Sequence, residues 1–292
     1  MILSQEVSKT PSLNSKYFRL SAYVRKARLI AARLILGWGI PLKNKTRVDG
    51  YLIRFKASSF LEYFLRAEES YTREKVTMYW IRNYISEDDV ILDIGANVGA
   101  YSLLIGKKVT SGHGRVYAVE PEASNFKALN DNIRLNSLSS TVIPFLLAFG
   151  DSRRVGNFFL SSTEVGAALH AIDKPESDGV KFEAKHTQGV LIESVDSFLS
   201  EEDILFPNHI KIDVDGVEKM IVSHMKNTLK DRRLRTVMIE IEIGLSGGEV
   251  EKIFASFGFQ EKMREQMAER AIYNVLYERD SNPEERADVL AH

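Results

Sequence analysis

Val90-Ile91-Leu92-Asp93-Ile94-Gly95-Ala96-Asn97-Val98-Gly99 is the stretch that decides the fold. An apolar run ends in an acid and passes into a glycine-spaced turn that opens a helix. Glycines at 95 and 99 let backbone approach a ligand where a Cβ would collide. The helix expected from about Val98 to Lys107 presents unpaired N–H groups and the positive end of its dipole to a carboxylate. Asp93, at the strand end, can accept a hydrogen bond from an ammonium. The layout suits a small ligand that carries both an amine and a carboxylate.

A second strand, Gly114-Arg115-Val116-Tyr117-Ala118-Val119-Glu120-Pro121, also ends in an acid. In a right-handed βαβ unit the two strand ends lie side by side above one sheet edge. Glu120 then falls about 25 residues after the glycine turn, near where an acid commonly grips ribose hydroxyls in nucleotide folds. An amine, a carboxylate and a ribose together describe S-adenosylmethionine. A dinucleotide site expects Gly-x-Gly-x-x-Gly, whereas Asn97 occupies the position of the second glycine, where a pyrophosphate needs close backbone approach. A nicotinamide or flavin enzyme is disfavoured on that ground.

The 292 residues allow one large α/β domain plus an extension. Hydrophobic residues make up 44% and charged residues 27%, an ordinary globular composition. There is no cysteine, which excludes disulfides, thiolate nucleophiles and Cys-based metal centres and fits a cytoplasmic setting. The net charge of −1 hides an asymmetry: residues 1–50 carry +8 and the remainder −9. Such a basic arm can meet an anionic partner, while the acidic remainder argues against nucleic acid as substrate. No run reaches the 18 or so apolar residues that a membrane span needs, and the N-terminus does not read as a signal peptide.

Tyr17–Leu36 has helical periodicity, with Leu20, Tyr23, Val24, Ala27, Ile30, Ala31 and Leu34 on one face and Arg19, Lys26 and Arg33 on another flank. The preferred reading is a helix docked on the main domain or a second copy, its basic face in water. The alternative is peripheral contact of residues 17–36 with a membrane or glycolipid. Gly37, Gly39 and Pro41 end the helix. A short β element with a turn at Asp49-Gly50 follows, then a helix over 68–84, with Glu69, Tyr71 and Glu74 as candidates for the rim of the site. Beyond it the pattern alternates: strands at 90–94, 115–120 and 141–148 with helices between, then a hairpin extension at 154–160. Residues 161–189 read as a long irregular loop, either functional or disordered. A strand and short helix over 189–199, a strand at 210–216, a helix over 217–229, a strand at 235–242 and a helix over 248–257 complete the core. A closing antiparallel pair is expected at 259–262 and 271–277, and a frayed tail from Glu278. The domain reading is an extension over 1–67, a catalytic domain over 68–280 and a tail over 281–292.

The chain resembles the FkbM-type family of S-adenosylmethionine-dependent methyltransferases. Leu92-Asp-Ile-Gly-Ala-Asn-Val-Gly99, Val119-Glu-Pro121 and Ile210-Lys-Ile-Asp-Val-Asp-Gly-Val-Glu218 carry the resemblance, over roughly residues 68–277. Asp215 stands where the family usually has a glutamate. The resemblance implies a class I methyltransferase fold: Rossmann-like, doubly wound, with a mainly parallel sheet and a closing antiparallel strand pair, here carrying an N-terminal helical extension. It also implies transfer mostly to oxygen, often a hydroxyl of a sugar or secondary metabolite. By the match, Asp93, Gly95, Ala96, Asn97 and Gly99 border the methionine portion, Glu120 takes the ribose hydroxyls, and Ala148 and Asp151 lie near the adenine.

Methyl transfer needs alignment, desolvation and sometimes a base. Lys211, Asp213 and Asp215 alternate along one strand, so they should share a side, close to the cleft. They are the catalytic candidates, Asp213 first; the alternatives are a Lys211–Asp213 ion pair or a helix cap. Glu240 and Glu242 end the neighbouring strand. His170 and His186 flank the long loop and are expected to be solvated. No metal site is expected. The acceptor is expected to be a small molecule or carbohydrate. The rivals are N-methylation of an amine and a binding protein that has lost transfer.

Overall fold

The structure is a computed structural model that describes residues 13–177, 180–242, 248–267 and 272–280. Its centre is a seven-stranded sheet: β1 (Val90–Ile94), β2 (Arg115–Val119), β3 (Val142–Phe145), β4 (His209–Ile212), β5 (Thr236–Glu242), β6 (Phe259–Met267) and β7 (Ile272–Arg279), in the order β6-β7-β5-β4-β1-β2-β3. β3, β2, β1, β4 and β5 run parallel, and β7 is antiparallel to both of its neighbours. The chain winds outward one way through β1, β2 and β3 and the other way through β4 and β5. The reversal between β1 and β4 opens a crevice at their carboxyl ends, where such sheets bind ligands.

β1, β2, β4 and β5 are buried on both faces and rich in apolar residues, whereas the edge strand β6 is largely polar and exposed. Ile91 packs with Trp80, Ile81, Leu103, Leu104 and Phe55 on one face. Val90, Leu92 and Ile94 pack with Ile210, Ile212, Val237 and Phe254 on the other. Asp93 shares the Ile91 face by strand alternation. At the opposite end of the sheet from the crevice, polar groups tie strands together: Trp80 Nε1–H donates to Thr236 Oγ1 at 2.7 Å, Thr236 meets His209 Nδ1 at 2.6 Å, and His209 Nε2 meets Asp89 at 3.2 Å. Every member is buried, so each depends on the next for its hydrogen bond.

Several elements depart from expectation. The helix expected over 68–84 is broken. A π-helical segment, Glu62–Glu69, leads into a single turn, Ser70–Arg73, and a helix, Lys75–Asn83, starts afresh after Glu74 leaves helical geometry at φ −101°, ψ 84°. Glu265 of β6 caps the new start by accepting the Val76 N–H at 3.1 Å. The third strand stops at Phe145, and Ala148–Phe149 joins a second sheet. Pro144 lies in β3, an edge strand, the place in a sheet that tolerates its missing N–H. Arg154–Leu160 pairs with His186–Glu193 rather than forming a local hairpin, and the loop between contributes Ala171–Ile172 to the same sheet. The helix over 217–229 is two pieces, Glu218–Ser223 and Lys226–Lys230. Asp196 restarts the second by accepting the Asn227 and Thr228 N–H groups at 2.9 and 2.7 Å. β4 ends at Ile212, short of the expected 216, and β6 and β7 run longer than expected. Glu278 and Arg279 belong to β7, and Arg279 donates to the Leu229, Leu234 and Phe257 carbonyls. The tail over 281–292 lies outside the described residues.

The N-terminal helix, Leu13–Gly37, reverses its expected orientation. Arg25 and Arg28 turn inward to Glu69 and Glu68, while Ala32 and Leu36 bury against Ala57 and Tyr63. Tyr23, Val24, Ile30 and Leu34 face outward. The wall formed by residues 62–69 offers carboxylates and aromatic rings, which suit guanidinium groups better than aliphatic side chains.

Gly95 is where the fold tolerates least change. Its φ is +83°, and a Cβ there would lie 1.9 Å from the Asp213 carbonyl oxygen. Gly95→Ala is expected to cost about 2–4 kcal/mol in urea denaturation, from left-handed strain plus a backbone clash. Gly189→Ala, which meets nothing within 4 Å, serves as the control.

Candidate active site

A cavity of about 370 Å³ opens at the crevice. Ile94, Gly95 and Asn97 line it after β1, Val119, Glu120 and Pro121 after β2, Asp213, Val214 and Asp215 after β4, and Glu240 from β5. Leu147, Ala148, Phe149 and Phe158 add an apolar wall, and Ala167–His170 close over it. Arg66, Arg73 and Glu74 enter from the broken helical segment. A second hollow of about 20 Å³ lies behind the glycine turn; Asp93, Ala96, Tyr101 and Lys211 line it, together with Arg66, Ser70, Gly95, Asn97 and Asp213 from the larger wall.

Glu120 sits just past β2 and is 5% exposed. Its two oxygens accept the Asn97 N–H at 2.8 Å and the Glu122 N–H at 2.9 Å. Burial outweighs those bonds and pushes its carboxyl up to about 7. Each oxygen keeps a lone pair for a further donor. Asp93 faces the small hollow, not the main cavity, because strand alternation turns it toward Ser102, whose hydroxyl it accepts. Its Oδ1 is buried with no hydrogen-bond partner. Such an orphan acceptor, adjoining a cavity, is a group a ligand ammonium satisfies. Burial raises its pKa, against the pull of Lys211 and Ser102.

The glycines act differently from expectation. Gly95 borders the cavity, but the atoms a Cβ would strike are those of Asp213. Gly99, at φ +96°, is packed against Leu129 and does not line the cavity. Their first role is to let β4 and the helix Ala123–Leu135 come close.

Lys211 is 3% exposed and donates to Asp213 at 2.5 Å, with its ammonium 5.1 Å from the centre of the Tyr101 ring. Burial alone would strip its proton, but the charges of Asp213, Asp93 and Glu74 outweigh it and raise its pKa. Lys211 is therefore held as a cation behind the site, in the Lys211–Asp213 ion pair that was the alternative to a catalytic role. Around it the acids are crowded. Burial first, then the charge of Asp213, raises Glu74. Burial, with the charges of Asp213 and Glu74, pushes Glu240 up to about 9.

Asp215 does not project from a strand beside Lys211. It lies beyond the end of β4 and accepts the N–H groups of Leu169 and His170, at 2.5 and 3.3 Å, in the loop over the cavity. The same loop is held from the other side. Asn97 Nδ2 donates to the Ala167 carbonyl at 2.9 Å, Arg66 Nε to Gly166 at 3.0 Å, and Gly166 N–H to Asn125 Oδ1 at 2.7 Å. His170 is buried on the cavity wall, packed on the Phe158 ring and accepting the Ser161 N–H, so it is not the solvated histidine expected; burial lowers its pKa. His186 is exposed.

Ala148 reaches the cavity, whereas Asp151 does not: it pairs with Arg154 at 3.2 Å, on the turn leading away. Tyr71 bonds the Ala100 carbonyl, and Glu69 holds Arg25, so neither lines the site. Arg66, Arg73 and Asn125 were not expected; no sequence spacing marks them, because the π-helical segment Glu62–Glu69 brings in the first and the helix break at Glu74 the second. Among the described residues no His, Asp and Glu grouping is arranged to hold a metal ion.

The strand order and crevice define a class I methyltransferase fold. A signature described as the methyltransferase FkbM domain matches residues 93–269, and the chain belongs to that family. It is an S-adenosylmethionine-dependent methyltransferase. The hexuronic acid methyltransferase AglP of Haloferax volcanii is 27% identical over 213 residues, covering 71% of this chain and 78% of that protein. The crystal structure of the FkbM methyltransferase of Methylobacillus flagellatus superposes with a TM-score of 0.46 at 17% identity, over 66% of this chain and 44% of that one. The precorrin-6y C5,15-methyltransferase of Geobacter metallireducens gives 0.44 at 13% identity, over 75% and 95%.

Lys211→Met should cost about 3–5 kcal/mol in chemical denaturation, since it leaves buried carboxylates without their counter-ion. A variant as stable as the parent would show that the acids do not need it.

Proposed function

We propose that the enzyme transfers the cofactor's methyl group to a hydroxyl of a sugar, with Glu240 as the base that takes the hydroxyl's proton. The observation that carries this reading is the set of carboxyls on the cavity wall, Glu74, Asp213 and Glu240, with Glu240 three strands along the sheet edge from Glu120. At about 4.8 Å per strand the two ends lie roughly 14 Å apart. Glu120 would hold the ribose hydroxyls. Gly95, Ala96 and Asn97, with Asp93 Oδ1 behind them, would hold the methionine end, and Leu147, Ala148 and Phe149 would flank the adenine.

When bound, S-adenosylmethionine supplies a methyl on a positively charged sulfur for in-line displacement. A carboxyl at about 9 is protonated at neutral pH. Its ionised form, whose share grows as the pH rises toward about 9, is the one able to accept the proton. Glu240 would take the hydroxyl's proton, and the cofactor would supply the methyl, the O–CH₃ bond forming as the S–CH₃ bond breaks and its electron pair stays on sulfur. Alignment is worth roughly 7–11 kcal/mol of barrier and the base about 10²–10⁴-fold, so positioning dominates. The bonds that Asp215, Asn97 and Arg66 make to the loop over 161–173 hold it over this space, where it would limit the entry of water. Arg66 and Arg73 share the wall with Glu74 and suit a sugar bearing a carboxylate. The name of the Haloferax volcanii relative fits such an acceptor.

Three measurements test the reading. Glu240→Gln should lower kcat by about 10²–10⁴-fold with little change in cofactor Kd; an unchanged kcat removes Glu240 as the base. The ionised form of Glu120 is the better acceptor for hydroxyls, so cofactor Kd should be flat above pH 7 and rise as the pH falls through about 7, approaching tenfold per unit. Calorimetric titration of Glu120→Gln should show weaker binding and no such slope. Labelled cofactor offered to uronic-acid glycans and to amino-sugar glycans should mark oxygen on the former; label on nitrogen would support the amine rival.

A further inference from the structure

We infer that the outward face of the N-terminal helix is a docking surface for an anionic lipid bilayer, on which the helix lies in the plane of the membrane. The inference does not depend on the acceptor or on the base proposed above.

The helix meets the domain by a face that carries its cations. Arg25 and Arg28 bond Glu69 and Glu68, their guanidinium groups lie 5.9 and 6.0 Å from the centres of the Phe64 and Tyr63 rings, and Ala32 and Leu36 seal the contact. The opposite face is left to solvent although it is the apolar one. Tyr23, Ile30 and Leu34 fall within roughly 60° of one another on the helix and are 74%, 54% and 62% exposed. Val24 widens the stripe, and Trp38 (83% exposed) and Ile40 extend it past the helix end. Scattered exposed apolar residues are ordinary, but a continuous stripe of this kind marks an interaction site.

Chemistry selects the occupant. Tyr23 and Trp38 stand at the two ends of the stripe, and amphipathic rings of this kind favour the headgroup level of a membrane. Lys26, exposed, borders one flank, where a long side chain can hold its charge at the lipid headgroups while the stripe enters the acyl boundary; Arg33, on the same flank and also exposed, sets its guanidinium 5.6 Å from the centre of the Phe60 ring. Residues 1–50 carry +8, complementary to an anionic surface. A second copy docked on the same face would set equal arms of like charge against each other. Among the described residues no helix is long and apolar enough to cross a membrane, so this one would lie on the surface. Because it rests on the segment Glu62–Glu69, which contributes Arg66 to the cavity wall, docking would also fix one wall of the active site relative to the bilayer.

The chain has two tryptophans, and Trp80 is fully buried, so a change in indole emission on lipid binding reports Trp38. The full chain should be titrated with vesicles of phosphatidylcholine alone and of phosphatidylcholine mixed with phosphatidylglycerol. The expected result is a blue shift and co-sedimentation with the mixed vesicles, weakened at least about tenfold by Leu34→Glu/Trp38→Glu and made insensitive to phosphatidylglycerol by Lys26→Glu/Arg33→Glu. All four substituted positions are exposed, so melting curves and cofactor binding should stay close to those of the parent. No vesicle binding by the folded chain overturns the inference, as does binding that survives the Leu34→Glu/Trp38→Glu change. A dimer in sedimentation equilibrium that this variant splits, without vesicle binding by the parent, would assign the face to a second copy instead.

Discussion

The ammonium of Lys211, buried at the middle of the sheet, is the charge around which the site is arranged. It pairs with Asp213 and lies within electrostatic reach of Asp93 and Glu74. Carboxylates this close and this buried repel one another and lose hydration, so a fixed cation among them is what keeps part of the cluster ionised. One cation is not enough for all of them. Glu74 and Glu240 are both raised, by burial first and by the charge of their neighbours second.

A second constraint is backbone crowding where β1 and β4 leave the sheet. Gly95 touches the Asp213 carbonyl, and the Asp213 N–H donates to Ile94 at 3.0 Å. The glycine turn and the acid after β4 are therefore positioned by each other. Above them the loop over 161–173 is held at both ends: Asp215 binds it on the β4 side, and Asn97, Asn125 and Arg66 bind it on the other. Leu169 has φ +63°, a conformation costly for a leucine, and its N–H is one of those Asp215 accepts. The strain persists because both sides of the loop are pinned. Asp215 thus joins the two halves of the cavity, a role that its place in the sequence does not suggest.

Residues outside the family segments complete the enzyme. The π-helical segment Glu62–Glu69 brings Arg66 to the cavity, and the break at Glu74 sends Arg73 and Glu74 there from a stretch, 68–84, that reads as one uninterrupted helix. Neither proline nor glycine marks the break, which is set by Glu265 capping from β6, some 190 residues later. The helix before it is mounted on the same segment by ion pairs, so the N-terminal arm and the cavity wall share a support.

The strand acids and the alternation of apolar runs with helical periods were legible in the sequence because they are local properties: a strand that is buried on both faces must be apolar, and a parallel connection has one hand. That determined the sheet, its crevice and the presence of Glu120, Asp213 and Glu240 near it. Side-chain direction was not local. Asp93 turned to the hollow behind the turn, Asp151 went to Arg154, Lys211 became a counter-ion, and His170 was buried. Periodicity also defined an apolar face on the first helix, but the expectation that this helix would dock with its basic face in water was reversed. Only the packed structure decided these points, because ion pairing, burial and capping depend on groups brought together from distant parts of the chain.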